Sequence, residues 1–200
     1  MKLLIGFSGS MGSGKSTAID ALRAHGIGAV AIAKFAAPLY QIQQMVYRVI
    51  SPVYTPPADF VKDRRLLQLI GFEWGREIIG PSLWVDLWTK AVTLYAQRDP
   101  DLIIACDDIR FDNEVDAVHA LDGVVVHIQS HRGAEAVVVG TGSTDHASED
   151  GVSMEKVDYV VENNGTEEDF KDSLRVLFAQ IMSDQGIYSL QTTNHIGSTK

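Results

Sequence analysis

The chain has 200 residues, 46% of them hydrophobic and 22% charged, with a formal net charge of -9, which suits one folded domain and is unlike a disordered polymer. Such an acidic balance argues against sequence-independent nucleic-acid binding, so any anionic ligand must be met by locally clustered cations. The single cysteine, Cys106, rules out an internal disulfide and points to a reducing compartment; no apolar run approaches the ~20 residues of a membrane span.

The apolar run Leu3–Phe7 predicts a strand, and Gly9-Ser10-Met11-Gly12-Ser13-Gly14-Lys15-Ser16-Thr17 follows it, leading into a helix over Thr17–Ala24. Strand, glycine loop and helix in that order form the phosphate-binding loop pattern G-x-x-x-x-G-K-[ST] in the setting it requires. The glycines let successive backbone N–H groups turn toward phosphate oxygens, and the helix N-terminus adds its dipole. Lys15 is expected on the outer phosphates and the Ser16 hydroxyl on Mg²⁺. Met1–Phe7 begins like a signal peptide, but the apolar run stops at the loop without a cleavage site, so a cytoplasmic protein is expected.

Gly28–Ala33 reads as a second strand, and the short crossover makes it parallel to the first. From Phe35 to Gln97 the pattern is helical, interrupted by Ser51–Pro57 with its three prolines. Helices are predicted over Pro38–Ile50, about Ala58–Phe72 and Pro81–Gln97, more than a simple crossover needs. This insertion, residues 35–98, is a candidate substrate-binding region. Leu102–Cys106 reads as a strand covered on both faces, with Cys106 as a small core residue. It ends in Asp107-Asp108-Ile109-Arg110, a second chemical centre at the strand's carboxyl end or, alternatively, a cap for a helix over Asp112–Leu121, a cap that Asp112 itself could supply.

Gly123–Ile128 is the fourth strand, with His127 read as a satisfied strand residue. Residues 130–152 are rich in glycine, serine and threonine and read as a lid that would exclude water, with Ala136–Val139 able to pair locally. Val157–Val161 is the fifth strand. Thr166 caps a last helix with Asp169 three residues on, and residues 185–200 read as a flexible tail after a single domain over 1–184.

A phosphate loop alone leaves ATPases, GTPases and kinases open. The inner spacing Gly9-x-x-Gly12-x-Gly14-Lys15-Ser16 resembles small-molecule kinases, and no Asn-Lys-x-Asp guanine signature is present. Asp108-Ile109-Arg110-Phe111-Asp112-Asn113-Glu114, taken with Leu67–Arg76, Trp84 and His146-Ala147-Ser148-Glu149, resembles the bacteriophage deoxynucleoside monophosphate kinase family. The resemblance runs from the phosphate loop to about Thr166. It implies a P-loop NTPase fold, three-layer α/β/α with five parallel strands in the order 2-3-1-4-5, a helical monophosphate-binding insertion and a lid.

The resemblance also implies transfer of the ATP γ-phosphoryl group, with Mg²⁺, to a deoxynucleoside monophosphate in the host cytoplasm. A homodimer is compatible with it, and neither nucleic acid nor membrane is an expected partner. The expected catalytic groups are Lys15, Asp108, Arg110 and Arg132, with Ser16 and Asp108 serving the metal. Asp108 would hold Mg²⁺ through water or orient the acceptor phosphate, and Arg110 would clamp that phosphate bidentately. The acceptor site would draw on Lys34, Arg64, Arg65, Gln68, Gly71, Phe72, Arg76, Trp84, Asp108, Arg110 and Glu114. Gln68 would bond a base edge, and Trp84 or Trp74 would either stack on the base or lie in the core. Glu114 would position Arg110, read the sugar or remain a solvated helix charge. Phe72 stands where the family has threonine. A dephospho-coenzyme A kinase shares the loop, lid and Asp158–Thr166 features, and a non-kinase ATP-binding switch remains open.

Overall fold

The computed structural model describes residues 1–56, 62–130 and 151–187. Five strands, β1 (Leu3–Ser8), β2 (Val30–Ile32), β3 (Ile103–Ile109), β4 (Val124–Gln129) and β5 (Tyr159–Glu162), form one sheet in the order β2-β3-β1-β4-β5. All four neighbouring pairs are parallel, which is the expected topology. Helices α1 (Lys15–Ala24) and α6 (Glu167–Asp184) pack on one face through Ile19, Leu22, Phe170, Leu174 and Phe178. On the other face lie α4 (Leu83–Arg98) and α5 (Asp112–His119), through Trp88, Val92, Val115 and Val118. Burial from both sides explains why β1 and the first part of β3 are continuously apolar. Thr166 caps α6, its Oγ1 accepting from the Asp169 N–H at 3.2 Å, as its spacing predicts.

β3 is longer than its apolar run, because Asp107 and Asp108 remain within the strand. Gly6 pairs with Cys106 and Ser8 with Ile109, so β3 holds one more residue than β1 between those points. This β-bulge resets the alternation of side chains. Ile103 and Ala105 enter the α1–α6 core, while Ile104 and Cys106 enter the α4–α5 core, where Ile109 joins them. The displaced Ile109 side chain lies over Gly6, where a Cβ would collide with it.

The helical insertion comprises α2 (Ala37–Ile50), α3 (Arg64–Gln68), a π-helix (Leu69–Ile79) and α4. The helix expected from Ala58 begins at Arg64, because Asp63 caps it by accepting from the Leu66 N–H at 2.9 Å. Residues 57–61 lie outside the described residues. Instead of ending near Phe72, the helical path continues as the π-helix to Ile79. Gly71 packs against Leu39, and Gly75 lies against the Trp84 indole with no room for a Cβ. Trp84 also donates from Nε1 to the Gly71 carbonyl at 2.8 Å. No helix among the described residues is long and apolar enough to cross a membrane.

Candidate active site

The loop 9–17 leaves the carboxyl end of β1 and opens α1, the edge where parallel α/β sheets place ligands. Two of its glycines are obligatory in both conformation and space. Gly9 has φ 136°, and a Cβ there would sit 2.5 Å from the Ile128 carbonyl oxygen. Gly14 has φ 108°, with Asn163 Nδ2 at 2.7 Å and the Phe170 ring at 2.8 Å from a Cβ position. Asn163 donates to the Ser13 carbonyl at 2.9 Å, so the turn after β5 fixes the back of the loop. Lys15 Nζ donates to the Gly9 and Ser10 carbonyls, both at 2.7 Å. Burial holds its pKa below the ordinary lysine value, and the Arg110 charge adds to this, while Asp107 and Asp108 oppose it. Ser16 is exposed at the start of α1.

The bulge gives the two aspartates of β3 different jobs. Asp108 accepts from the Phe35 N–H at 3.0 Å, from the Ala36 N–H at 2.9 Å and from the Cys106 thiol at 3.2 Å. Burial pushes its carboxyl up against the pull of those donors. Both oxygens thus help to hold the entry to α2, and neither caps α5. Asp107 accepts from Lys34 Nζ at 2.9 Å through Oδ2, and its Oδ1 is buried without a hydrogen-bond partner. Burial works against the Lys34 charge, but the bond to Asp107 together with the nearby Asp107 and Asp108 charges outweighs it and the lysine is raised. Cys106 is wholly buried, its thiol pushed well up by burial and by Asp108, in keeping with a core role.

Behind this edge, Glu114 is 3% exposed. Its Oε2 accepts from the Arg110 N–H at 2.8 Å and the Phe111 N–H at 3.2 Å, which caps α5. Its Oε1 meets Arg76 Nη2 at 2.5 Å. Burial pushes Glu114 up to about 7 even against these partners, and burial likewise lowers Arg76. The Arg76 guanidinium lies 3.7 Å over the Phe111 ring. Arg76 is thus a strut between the π-helix and α5 and not an open cation, while Glu114 is neither a solvated charge nor a sugar reader. Asp112 does not cap α5 either: its carboxylate accepts from the Ser153 N–H at 2.9 Å and hydroxyl at 2.6 Å.

Trp84 is 3% exposed, its ring faces covered, so it is a core aromatic and not a stacking platform. Gly71 spends its carbonyl on that indole, and Phe72 is half-buried on the π-helix. Arg65 and Gln68 line an open cleft of about 530 Å³ with Asp63, Leu66, Leu69 and Glu73. Trp74, 44% exposed, lines a second, apolar cleft of about 600 Å³. Neither cleft includes the phosphate loop or the end of β3. Arg64 is exposed at the start of α3. Arg132 and His146 lie outside the described residues.

Residues that pattern reading passed over are Asp107 as a separate group, Asn163 at the back of the loop, and the Ser8–His127 pair. Ser8 Oγ lies 3.1 Å from His127 Nδ1 beneath the loop, and burial together with Lys15 lowers the imidazole pKa. Arg110, Asp107 and Asp108 all lie near enough to Lys15 to act on its charge, and Asp107 is paired with Lys34.

A family model described as deoxynucleotide monophosphate kinase matches residues 39–174. The deoxynucleoside-5′-monophosphate kinase of Escherichia phage T5 is 26% identical over 112 residues, covering 52% of this chain and 40% of that protein. The chain's match thus spans less than half the length of the T5 protein. A protein of Acanthamoeba polyphaga mimivirus, assigned provisionally as a deoxynucleotide monophosphate kinase, is 28% identical over 187 residues, covering 84% of this chain and 92% of that one. In fold, the chain is similar to a protein of Chloroflexus aurantiacus assigned provisionally as a kinase. That likeness has a TM-score of 0.51 at 11% identity, covering 92% of this chain and 97% of the other.

Proposed function

The chain belongs to the deoxynucleotide monophosphate kinase family, and from that premise we propose that it transfers the γ-phosphoryl group of ATP to a deoxynucleoside 5′-monophosphate, giving the diphosphate and ADP. The observation that carries this reading is the phosphate loop at the carboxyl end of β1, with Arg110 directly after the neighbouring strand β3. Lys15 of the loop and Arg110 after β3 lie close enough for the arginine to disfavour the lysine's charge. The family match begins at residue 39, after the phosphate loop, so the loop and the family are independent supports.

Phosphoryl transfer needs alignment and charge neutralisation more than covalent chemistry. Lys15, now folded onto the Gly9 and Ser10 carbonyls, would turn to the β- and γ-phosphates alongside the loop amides. Arg110, its backbone pinned by Glu114, would clamp the acceptor phosphate. An acceptor oxygen bonds to the γ-phosphorus, the bond to the β–γ bridging oxygen breaks, and ADP leaves. The acceptor phosphate is already largely deprotonated near neutral pH, so no general base is required.

The residues fit Mg²⁺ carried by the nucleotide. No group of three or more His, Cys, Asp or Glu side chains among the described residues could hold a metal by itself. Mg²⁺ usually sits on substrate phosphates with one or two protein oxygens and retained waters; the Ser16 hydroxyl would be one such oxygen, and the metal would draw charge from the transferring group. Arg65 and Gln68, on the cleft beside α3, are proposed to face the acceptor's nucleoside portion.

The test is steady-state ADP formation with dAMP, dGMP, dCMP, dTMP and dephospho-coenzyme A. Turnover of at least one deoxynucleotide is expected. Turnover of dephospho-coenzyme A alone, or none above the ATP-only background, would overturn the reading.

A further inference from the structure

We infer that His127 is a further positioning residue of the nucleotide site, which holds the root of the phosphate loop through Ser8 and takes up a proton when the nucleotide's phosphates arrive. This rests on the kinase reading above.

Strand β4 supports the loop from below. Ser8, the last residue of β1, lies opposite His127 in the parallel register, and the next carbonyl, of Ile128, occupies the space that a side chain on Gly9 would need. Ser8 is 1% exposed, and its hydroxyl lies 3.1 Å from His127 Nδ1. A carboxylate in that place would fix the imidazole charged, and an ammonium would fix it neutral. A hydroxyl both donates and accepts. Neutral His127 can accept the Ser8 proton at Nδ1, and charged His127 can donate from Nδ1 to Ser8 Oγ. The pair therefore survives a change of charge.

Lys15 sets which charge is favoured, since burial and its ammonium both act against the imidazolium. Among the described residues, the other charged groups on the elements packed against β4 are engaged elsewhere. Asp158 of β5 meets His119 and the Val125 N–H, Asp112 and Asp116 of α5 meet Ser153 and Lys156, and Glu114 meets Arg76. Glu162 of β5 is exposed. Nucleotide phosphates on Lys15 would cancel its repulsion and add an attraction, which favours the charged form of a histidine. The proton comes from bulk water and completes the imidazolium, whose Nδ1–H then donates to Ser8. Because the complex binds more protons than the free protein, affinity for the nucleotide should fall as pH rises between the free and the bound titration midpoints.

The experiment is an NMR titration of the His127 imidazole from pH 5 to pH 8, in wild type alone and saturated with a non-hydrolysable ATP analogue and Mg²⁺. His127→Gln identifies the resonance. The midpoint should rise by about 1 pH unit in the complex, the size of effect a neighbouring charge produces. Over the same range the wild-type affinity should fall about 10-fold more than that of His127→Gln. Calorimetry at pH 6 in two buffers of unlike ionisation enthalpy should show greater proton uptake in wild type than in His127→Gln, a difference that removes protons bound by the analogue or by other histidines. An unmoved midpoint with the analogue bound, or equal uptake in the two proteins, overturns the inference and leaves the kinase reading intact. Wild-type protein that does not bind the analogue overturns both. If His127→Gln fails to fold, the resonance is assigned from the wild-type backbone and Lys15→Met decides the matter. Without nucleotide its His127 midpoint should already lie above that of wild type, and an unchanged midpoint overturns the inference.

Discussion

Arg76 and Glu114 meet at 2.5 Å, joining the π-helix to the first turn of α5 in a setting where the two side chains are only 11% and 4% exposed. The same carboxylate accepts from the Arg110 backbone N–H, so one buried pair ties the helical insertion to the proposed acceptor clamp.

Removing the arginine should therefore cost stability. Arg76→Ala leaves Glu114 buried without its cation and strips a guanidinium from the Phe111 ring, and breaking a buried pair from one side costs about 3 to 5 kcal/mol. Urea denaturation at pH 8 should show a loss of that order. At pH 5, where Glu114 is protonated, the loss should shrink. A pH-independent loss would mean that the ring contact, not the ion pair, dominates.

The pH dependence of Glu114 has a definite sign. Its pKa rises from 4.5 to about 7 on folding, so between those values the native state binds more protons than the unfolded chain. Stability from this group is full at low pH and falls as pH rises toward 7, by at most about 3 kcal/mol. Glu114→Gln cannot titrate, so its melting temperature relative to wild type should rise as the buffer goes from pH 5 to pH 8. A constant difference across that range would show that Glu114 does not change protonation on folding.

Within the loop, the glycines should not be equivalent. Gly14→Ala meets both strain at φ 108° and the close Asn163 and Phe170 atoms, a combination expected to exceed the ~1–3 kcal/mol of backbone strain alone. Gly12 has φ 80° but nothing within 4 Å of a Cβ, so Gly12→Ala should cost only about 1 kcal/mol. Denaturation midpoints would rank the two, and equal losses would refute the packing argument.

Arg110→Ala should damage acceptor use selectively. A charge-assisted bond of the proposed kind contributes about 1.5 to 3 kcal/mol, so kcat/KM for the deoxynucleotide should fall by about 10- to 100-fold or more. The KM for ATP should move far less. Equal effects on both substrates would place Arg110 on the donor side.

The phosphate loop was legible in sequence because its signature is local, and the strand order came with the family resemblance carried by Asp108–Glu114. What escaped depends on pairing across the fold. The division between Asp107 and Asp108 follows from one extra residue in β3, and its sequence trace is Gly6, a glycine inside an otherwise apolar strand that yields space to Ile109. Trp84 could be read either as a base platform or as core; Gly71 and Gly75, four residues apart, were the sign that an indole lies against this helix. Arg76 reads as an open cation because Glu114, its partner across the insertion, is 38 residues away.

The bulge also gives β3 room for two carboxylates where regular pleating would leave one. Substituting either aspartate changes one group, whereas deleting one of them would restore regular pleating with Ile109 still opposite Ser8 and still facing the α4–α5 layer. What would be lost is the division of labour, because one remaining aspartate could not both pair with Lys34 and hold the Phe35 and Ala36 N–H groups. The extra residue thus serves the two aspartate contacts and not the packing of the sheet.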